Sequence, residues 1–142
     1  MPAPWQAGPD PATMTPMADG NPVGVLIVDD QAPFRRAARA VVSMTAGFEV
    51  VGEAESGEAA VSMADDLAPE LVLMDINLPG INGIEATRRI TAAHPGTVVL
   101  LLSTYQDADL PADAGDCGAA RYVHKEEFGP AVVTSVWAEH RT

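Results

Sequence analysis

Three apolar runs in the sequence end directly in residues that could transfer a phosphoryl group to a carboxylate. Each run is followed by charged residues: Asp29 and Asp30 after 25–28, Asp75 after 71–74, and Lys125 after 121–124. Continuous apolar runs are typical of parallel strands covered on both faces, and such sheets bind ligands outside the carboxyl ends of their strands. We therefore expect three carboxylates and one ammonium group to meet at one sheet edge, where they would bind a divalent cation and a phosphoryl group.

The adjacent carboxylates of Asp29 and Asp30 are the first candidates for a metal site. They repel one another, and keeping both ionised near a partly buried strand end is costly without a cation. Mg²⁺ suits such a site because it is bound by a few carboxylates together with water and phosphate oxygens. An isolated Asp-Asp pair is more often a solvated pair in a loop, but the apolar strand before this pair favours the metal site.

Asp75 is the candidate nucleophile. An acid that ends a strand is commonly a helix cap or a turn residue, but the next predicted helix starts only near residue 83. Attack of the Asp75 carboxylate on phosphorus would form an acyl phosphate, a recognised type of covalent intermediate.

Lys125 and one hydroxyl group could complete the site. The long stem of Lys125 would carry its charge to the phosphoryl oxygens, although most lysines are simply exposed. Ser103 or Thr104 would donate a hydrogen bond to the same oxygens, and the sequence leaves open which of the two points inward. A serine that starts a turn is an equally good interpretation of Ser103.

The elements that must position these residues alternate along the chain. Apolar runs predict five strands, at 23–28, 48–54, 71–75, 98–102 and 120–123. Helical patterns follow most of the strands. The first helix begins near Pro33 and places five apolar residues on one face: Phe34, Ala37, Ala38, Val41 and Val42. Ser56 caps the second helix, the third follows Asn82-Gly83, and the last, helix 5, carries Val132, Val133, Val136 and Trp137. This alternation predicts an α/β fold with a doubly wound parallel sheet.

Two stretches depart from the alternation. Residues 1–22 contain six prolines and no apolar periodicity, so we expect a disordered extension ahead of a domain over 23–142. Residues 106–118 occupy the place of helix 4 but are rich in Asp and Gly and include Pro111. Because these residues disfavour helix, we expect helix 4 to be irregular or shortened.

Composition narrows the class of protein. The 142 residues suit one domain, and 20 acidic residues against 8 basic ones give a net charge of −12, which disfavours binding to nucleic acid or anionic lipid. No apolar run approaches the roughly 18 residues that cross a bilayer, and the N-terminus does not resemble a secretory signal. Cys117 is the sole cysteine, so no intrachain disulfide can form, and we expect a cytoplasmic protein.

Four motifs together resemble the receiver domain of two-component response regulators. They are Val-Asp-Asp at 28–30, Met-Asp-Ile-Asn-Leu-Pro-Gly-Ile-Asn-Gly at 74–83, Leu-Ser-Thr-Tyr at 102–105 and Tyr-Val-His-Lys at 122–125. The resemblance covers about residues 23–141 and is closest to the NarL/LuxR-type branch. It implies a flavodoxin-like (βα)5 fold with a five-stranded parallel sheet.

The resemblance also implies a role for each candidate residue. Asp75 corresponds to the aspartate phosphorylated by a histidine kinase, Asp30 to the direct Mg²⁺ ligand, Asp29 to the acid that holds the ion mainly through water, Asn77 to the residue whose backbone carbonyl binds the metal, Ser103 to the switch hydroxyl, Lys125 to the phosphate-binding lysine, and Tyr122 to the aromatic residue that turns inward on activation. Tyr122 could instead be an ordinary half-buried residue of strand 5.

The partners implied are a histidine kinase or phosphotransfer protein, and a second copy through the helix 4–strand 5–helix 5 surface. The unusual 106–118 segment weakens the expectation of that homodimer. No nucleic acid or membrane is expected to bind this segment. Such a domain catalyses only its own phosphorylation and dephosphorylation, so it is not an enzyme in the usual sense.

The sequence leaves open two other functions and two possible domain organisations. A degenerate receiver would act as a phosphorylation-independent interaction module, although every active-site position is filled. A phosphatase of the haloacid dehalogenase type also uses an Asp nucleophile, but Asn77 stands where that family needs a second acid. The chain could be a stand-alone receiver, which the divergent helix 4 region slightly favours, or one part of a longer regulator.

Overall fold

A single parallel sheet forms the centre of the protein. The computed structural model describes residues 21–104 and 116–140, and the predictions for residues 1–20 and for 105–115 of the helix 4 region lie outside these ranges. The sheet has the order β2-β1-β3-β4-β5. Its strands are β1 Val23–Val28, β2 Phe48–Ala54, β3 Leu71–Asp75, β4 Val98–Ser103 and β5 Arg121–His124.

The helices begin at residues suited to that position. Ser56 accepts a hydrogen bond from the Ala59 N–H, Asn82 accepts one from the Glu85 N–H, and Pro33 lies in the first turn of its helix. The helices are α1 Ala32–Ser43, α2 Gly57–Leu67, α3 Gly83–Ala93 and the C-terminal helix Pro130–His140, and a 3-10 turn covers Lys125–Glu127.

The sheet is covered on both faces, as the uniformly apolar strands predict. Neighbouring residues of one strand point to opposite faces, so Leu26 packs in the core beneath α2 and α3, whereas Ile27 packs in the core beneath α1 and the C-terminal helix. The strands β1, β3 and β4 are buried along their whole length. The predicted doubly wound α/β fold is therefore confirmed.

Some predicted details differ from the structure. Strand β4 continues one residue further, to Ser103, and β5 begins one residue later than predicted. Ala37 was expected on the buried face of α1 but is exposed. The buried stripe of α1 is centred on Ala38 and Val42, and Ala37 lies a full 100° around the helix from Ala38.

Strand register places four strand ends at one edge of the sheet. Met74 pairs with Val28, Asp75 pairs with Leu102, and Ser103 pairs with His124. The carboxyl ends of β1, β3, β4 and β5 therefore lie side by side. Among the described residues, no helix combines the length and the hydropathy needed to cross a membrane.

Candidate functional site

Three carboxylates meet at the carboxyl edge of the sheet. Asp29, Asp30 and Asp75 each place a carboxylate oxygen within 4.8 Å of the others. Asp29 is fully buried and Asp75 is 5% exposed, whereas Asp30 is exposed. The acidic pair is therefore divided: one member belongs to the protein interior and the other faces solvent.

Lys125 supplies the positive charge at this edge. Its Nζ lies 2.6 Å from Asp29 Oδ2 and 3.5 Å from Asp75 Oδ1. Only 13% of the Lys125 side chain is exposed. The residue begins the 3-10 turn that follows β5, so the edge strand of the sheet delivers its ammonium group to carboxylates that end β1 and β3.

The turn after β1 holds Asp29 in place. Its Oδ1 accepts a hydrogen bond of 2.8 Å from the Gln31 N–H, so Lys125 and Gln31 bind different oxygens of one carboxylate. Its backbone carbonyl accepts a hydrogen bond of 2.7 Å from Arg35 Nη1. These contacts connect the start of α1 to the end of β1, and they offset the cost of burying a charge.

The environment of Asp75 disfavours its ionised form. Burial and the nearby negative charge of Asp29 raise the pKa of Asp75 to about 6. The positive charge of Lys125 and a hydrogen bond from the Asn77 backbone act in the opposite direction but only partly offset this rise. One ammonium group faces three carboxylates, so the site retains an excess of negative charge that a cation would relieve.

The loop between β3 and α3 closes tightly against Asp75. The Gly83 N–H donates a 2.9 Å hydrogen bond to the Ile76 carbonyl, and a β-carbon on Gly83 would collide with the Asp75 carbonyl oxygen. Only glycine permits this approach, which brings the start of α3 onto the strand end. The loop places Asn77 directly beside Asp75; its predicted role as a carbonyl ligand stays a prediction.

The hydroxyl groups at the end of β4 point to different environments. Ser103 is 1% exposed, whereas Thr104 is exposed, so the buried candidate is Ser103. Tyr122 is half-buried and packs against the core beneath α2 and α3. The switch roles of Ser103 and Tyr122 stay predictions.

His124 is half-buried and makes hydrogen-bond contacts through both ring nitrogens. Its Nε2 lies 3.1 Å from the Thr104 carbonyl oxygen, and its Nδ1 accepts a hydrogen bond from the Glu126 N–H. One neutral tautomer, with the proton on Nε2, satisfies both contacts. His124 therefore links the end of β4 to the turn that carries Lys125.

Sequence reasoning missed three residues around the site. Phe34 was assigned to the core, yet its ring centroid lies 4.3 Å from Lys125 Nζ. Gln31 and Arg35 were not singled out, and both bind Asp29. Their position in the turn and first helix turn after Asp-Asp was the only available signal, because helix periodicity does not report contacts made by a helix terminus.

Comparison with known proteins identifies a protein family that agrees with the fold and with the acidic cluster at the carboxyl edge of the sheet. A family model described as the response regulator receiver domain matches residues 25–136. The structure superposes on a LuxR-family two-component response regulator from Aurantimonas sp. SI85-9A1 with a TM-score of 0.74, 31% identity and coverage of 84% of this chain and 85% of that one. For the response regulator domain of Thermotoga maritima CheB, the TM-score is 0.75 at 28% identity, covering 86% and 98%.

Curated relatives agree with the structural neighbours. The chain is 35% identical over 123 residues to the transcriptional regulatory protein DegU of Brevibacillus brevis, covering 87% of this chain and 52% of the relative. It is 37% identical over 114 residues to the response regulator UvrY of Escherichia coli K12, covering 80% and 52%. The chain spans about half the length of these relatives. It belongs to the response regulator receiver domain family, and its similarity is to the NarL/LuxR-type branch.

Proposed function

We propose that Asp75 accepts a phosphoryl group from a histidine kinase or phosphotransfer protein, in a reaction that depends on Mg²⁺. One observation carries the proposal: Asp75 lies in a cluster of three carboxylates, and its Oδ1 lies 3.5 Å from the ammonium nitrogen of Lys125, a lysine whose side chain is largely shielded from solvent. This arrangement combines an oxygen nucleophile, a cation site and a positive group for phosphoryl oxygens.

The transfer itself needs few groups. A carboxylate oxygen of Asp75 attacks phosphorus, the bond from phosphorus to the donor imidazole nitrogen breaks, and the imidazole leaves with the electron pair. Phosphoryl transfer depends mainly on positioning and on neutralising charge at the equatorial oxygens. Lys125, which already contacts Asp75 and Asp29, supplies that charge from the protein.

The carboxylate cluster fits a Mg²⁺ ion. Its donors are hard oxygen atoms, and their combined charge exceeds that of Lys125. Burial and then the negative charge of Asp29 raise the pKa of Asp75, and a bound cation would favour its ionised form. Asp30 and Asp75 would bind the ion directly together with the Asn77 carbonyl, and Asp29 would hold it mainly through water. When bound, Mg²⁺ would supply charge neutralisation for the carboxylates and the incoming phosphoryl group.

The signal would then pass through strands β4 and β5. The phosphoryl group on Asp75 would carry a charge of about −1.5 to −2 in place of the single negative charge of the carboxylate. The Ser103 hydroxyl would turn towards the new oxygens. Tyr122, two strand positions before His124, would move inward and repack the surface formed by β5, the C-terminal helix and the helix 4 region. Output by this surface, to a partner or a second copy, would be a population shift between two packings.

The test is incubation with acetyl phosphate and Mg²⁺ followed by intact-mass measurement. Acetyl phosphate loses acetate when its phosphoryl group moves to a carboxylate, so the wild-type chain should gain one phosphoryl group. Asp75→Asn should gain none, and omission of Mg²⁺ should prevent the reaction in the wild type.

A matched control is Asp65→Asn, which changes an exposed acid on α2. That variant should be phosphorylated like the wild type. An adduct that persists in Asp75→Asn would place the acceptor elsewhere. Absence of any adduct in the wild type, even with the genuine kinase as donor, would instead support the degenerate receiver that acts without phosphorylation.

A further inference from the structure

The face of the Phe34 ring lies against the ammonium group of Lys125. Lys125 Nζ lies 4.3 Å from the ring centroid, within the range of a cation–π contact. The same nitrogen lies 2.6 Å from Asp29 Oδ2 and 3.5 Å from Asp75 Oδ1. The ammonium group is thus bounded by two carboxylates and one aromatic face.

Such enclosure matters because a lysine side chain is intrinsically mobile. Its four-carbon stem has many rotamers, and fixing them costs entropy. Asp29 binds the ammonium group more closely than Asp75 does, so electrostatic attraction alone would favour a position over Asp29. A group that limits this displacement would keep Lys125 within reach of the reacting oxygen.

The ring itself is fixed from two directions. Phe34 belongs to the stripe by which α1 packs against the core, and its ring contacts the ring of Phe128 with centroids 6.1 Å apart. The next residue along α1, Arg35, donates its hydrogen bond to the Asp29 carbonyl. The start of α1 is therefore tied both to the end of β1 and to the segment that follows Lys125.

We propose that Phe34 is a positioning residue, whose ring holds the Lys125 ammonium group between Asp29 and Asp75. The kinetic part of this inference rests on the proposed phosphorylation of Asp75, whereas the contact between ring and ammonium does not. In this role Phe34 acts through Lys125, whose ammonium group its ring contacts, and not on the reacting atoms. The ring also helps to exclude water from the pair of Lys125 and Asp29, which strengthens their attraction.

The kinetic experiment compares Phe34→Leu with Phe34→Tyr, using acetyl phosphate so that docking of a kinase does not contribute. Leucine keeps an apolar side chain but removes the aromatic face, so the phosphorylation rate constant should fall on the order of threefold to tenfold. Tyrosine keeps the ring, and its rate constant should remain within about twofold of wild type. Equal rates for Phe34→Leu and wild type would overturn the inference.

The same substitution in a chain without the lysine tests whether Phe34 acts on Lys125 or only by packing in the core. In a Lys125→Met chain, Phe34→Leu should cause no further loss of rate, because the group on which the ring acts is gone. An equal fractional loss in both backgrounds would show that Phe34 acts by packing alone. If the wild type itself accepts no phosphoryl group, the proposed function fails and the next measurement still tests the contact.

That measurement is the NMR chemical shift of the Lys125 ε-methylene protons in the wild-type chain. A position above the Phe34 ring predicts an upfield ring-current shift, retained in Phe34→Tyr and lost in Phe34→Leu. Random-coil shifts in the folded wild type would refute the contact, even if the leucine variant did not fold.

Discussion

The two edges of the sheet place acidic side chains in opposite environments. At the amino edge, Glu70 lies in solvent and its Oε1 accepts a 2.9 Å hydrogen bond from the Gly24 N–H, while its own N–H donates to the Gly24 carbonyl. At the carboxyl edge, Asp29 and Asp75 are buried beside each other and share one lysine. The acid at the amino edge completes the backbone hydrogen bonding of the fold.

The carboxyl edge, by contrast, carries more negative charge than its own residues neutralise. Burying like charges together opposes folding unless a ligand or a modification compensates. In the proposed function, this excess of negative charge would hold a cation next to Asp75, whose carboxylate would act as the nucleophile. The contrast predicts that changes at the carboxyl edge alter chemistry, whereas changes at the amino edge alter only stability.

Among changes that leave the acceptor Asp75 in place, the largest effect is expected from Lys125→Met. Methionine has a similar length but no charge, so the phosphoryl oxygens would lose their protein cation and the rate of phosphorylation by acetyl phosphate should fall on the order of 100-fold. The rate is followed by intact mass at fixed Mg²⁺ concentration. A rate within a factor of two of wild type would contradict the difference between the two edges, because Lys125 would then contribute only to stability, as Glu70 does.

A second prediction concerns stability and pH at Asp75. The pKa of this carboxyl group is raised from 3.8 to about 6 in the folded protein, so the folded state binds its proton more tightly than the unfolded chain does. The contribution of Asp75 to stability is therefore fully present below about pH 4 and is lost as the pH rises through 6.

Asp75→Asn removes the charge and should raise the melting temperature at pH 7.5 by about 5 °C in the presence of EDTA. The difference from wild type should shrink as the pH approaches 4, in melting curves followed by circular dichroism. A variant less stable than wild type at pH 7.5 would show that the Asp75 carboxylate is adequately compensated without a metal ion.

The smallest effect is expected at the amino edge. Glu70→Ala removes the acceptor for the Gly24 N–H and should lower the free energy of unfolding by about 0.5–1 kcal/mol, measured by urea denaturation. Glu70→Gln retains an acceptor and should lose less. Both variants should be phosphorylated at the wild-type rate; a slowed reaction in either would mean that the two edges are coupled.

The strands were predictable because a strand buried on both faces appears in the sequence as a continuous run of apolar residues. The bounds of β1, β2 and β3 agree with the prediction, whereas β5 is displaced by one residue. This edge strand is only four residues long and half-exposed, so its apolar pattern is weak. The exposure of Ala37 shows the same limit on α1, where small alanines do not define which of two adjacent positions is buried.

The acidic cluster and its lysine were predictable as neighbours at one sheet edge, but their contacts were not. Topology alone places Asp29, Asp75 and Lys125 at one edge, because parallel strands end together. The sequence does not show that Lys125 lies closer to Asp29 than to Asp75, since that depends on the turn geometry after β1 and β5. Nor does the sequence show whether Phe34 only packs in the core or also contacts Lys125, because an aromatic residue at the start of a helix is compatible with both roles.

The most direct test of the central claim is to locate the phosphoryl bond chemically in the wild-type chain. After reaction with acetyl phosphate and Mg²⁺, borohydride reduces an acyl phosphate to an alcohol and releases phosphate, so a phosphorylated aspartate becomes homoserine. Peptide mapping should find homoserine at Asp75 and leave Asp29 and Asp30 unchanged. Homoserine at another carboxylate, or no homoserine in a chain that gained phosphoryl mass, would contradict the account.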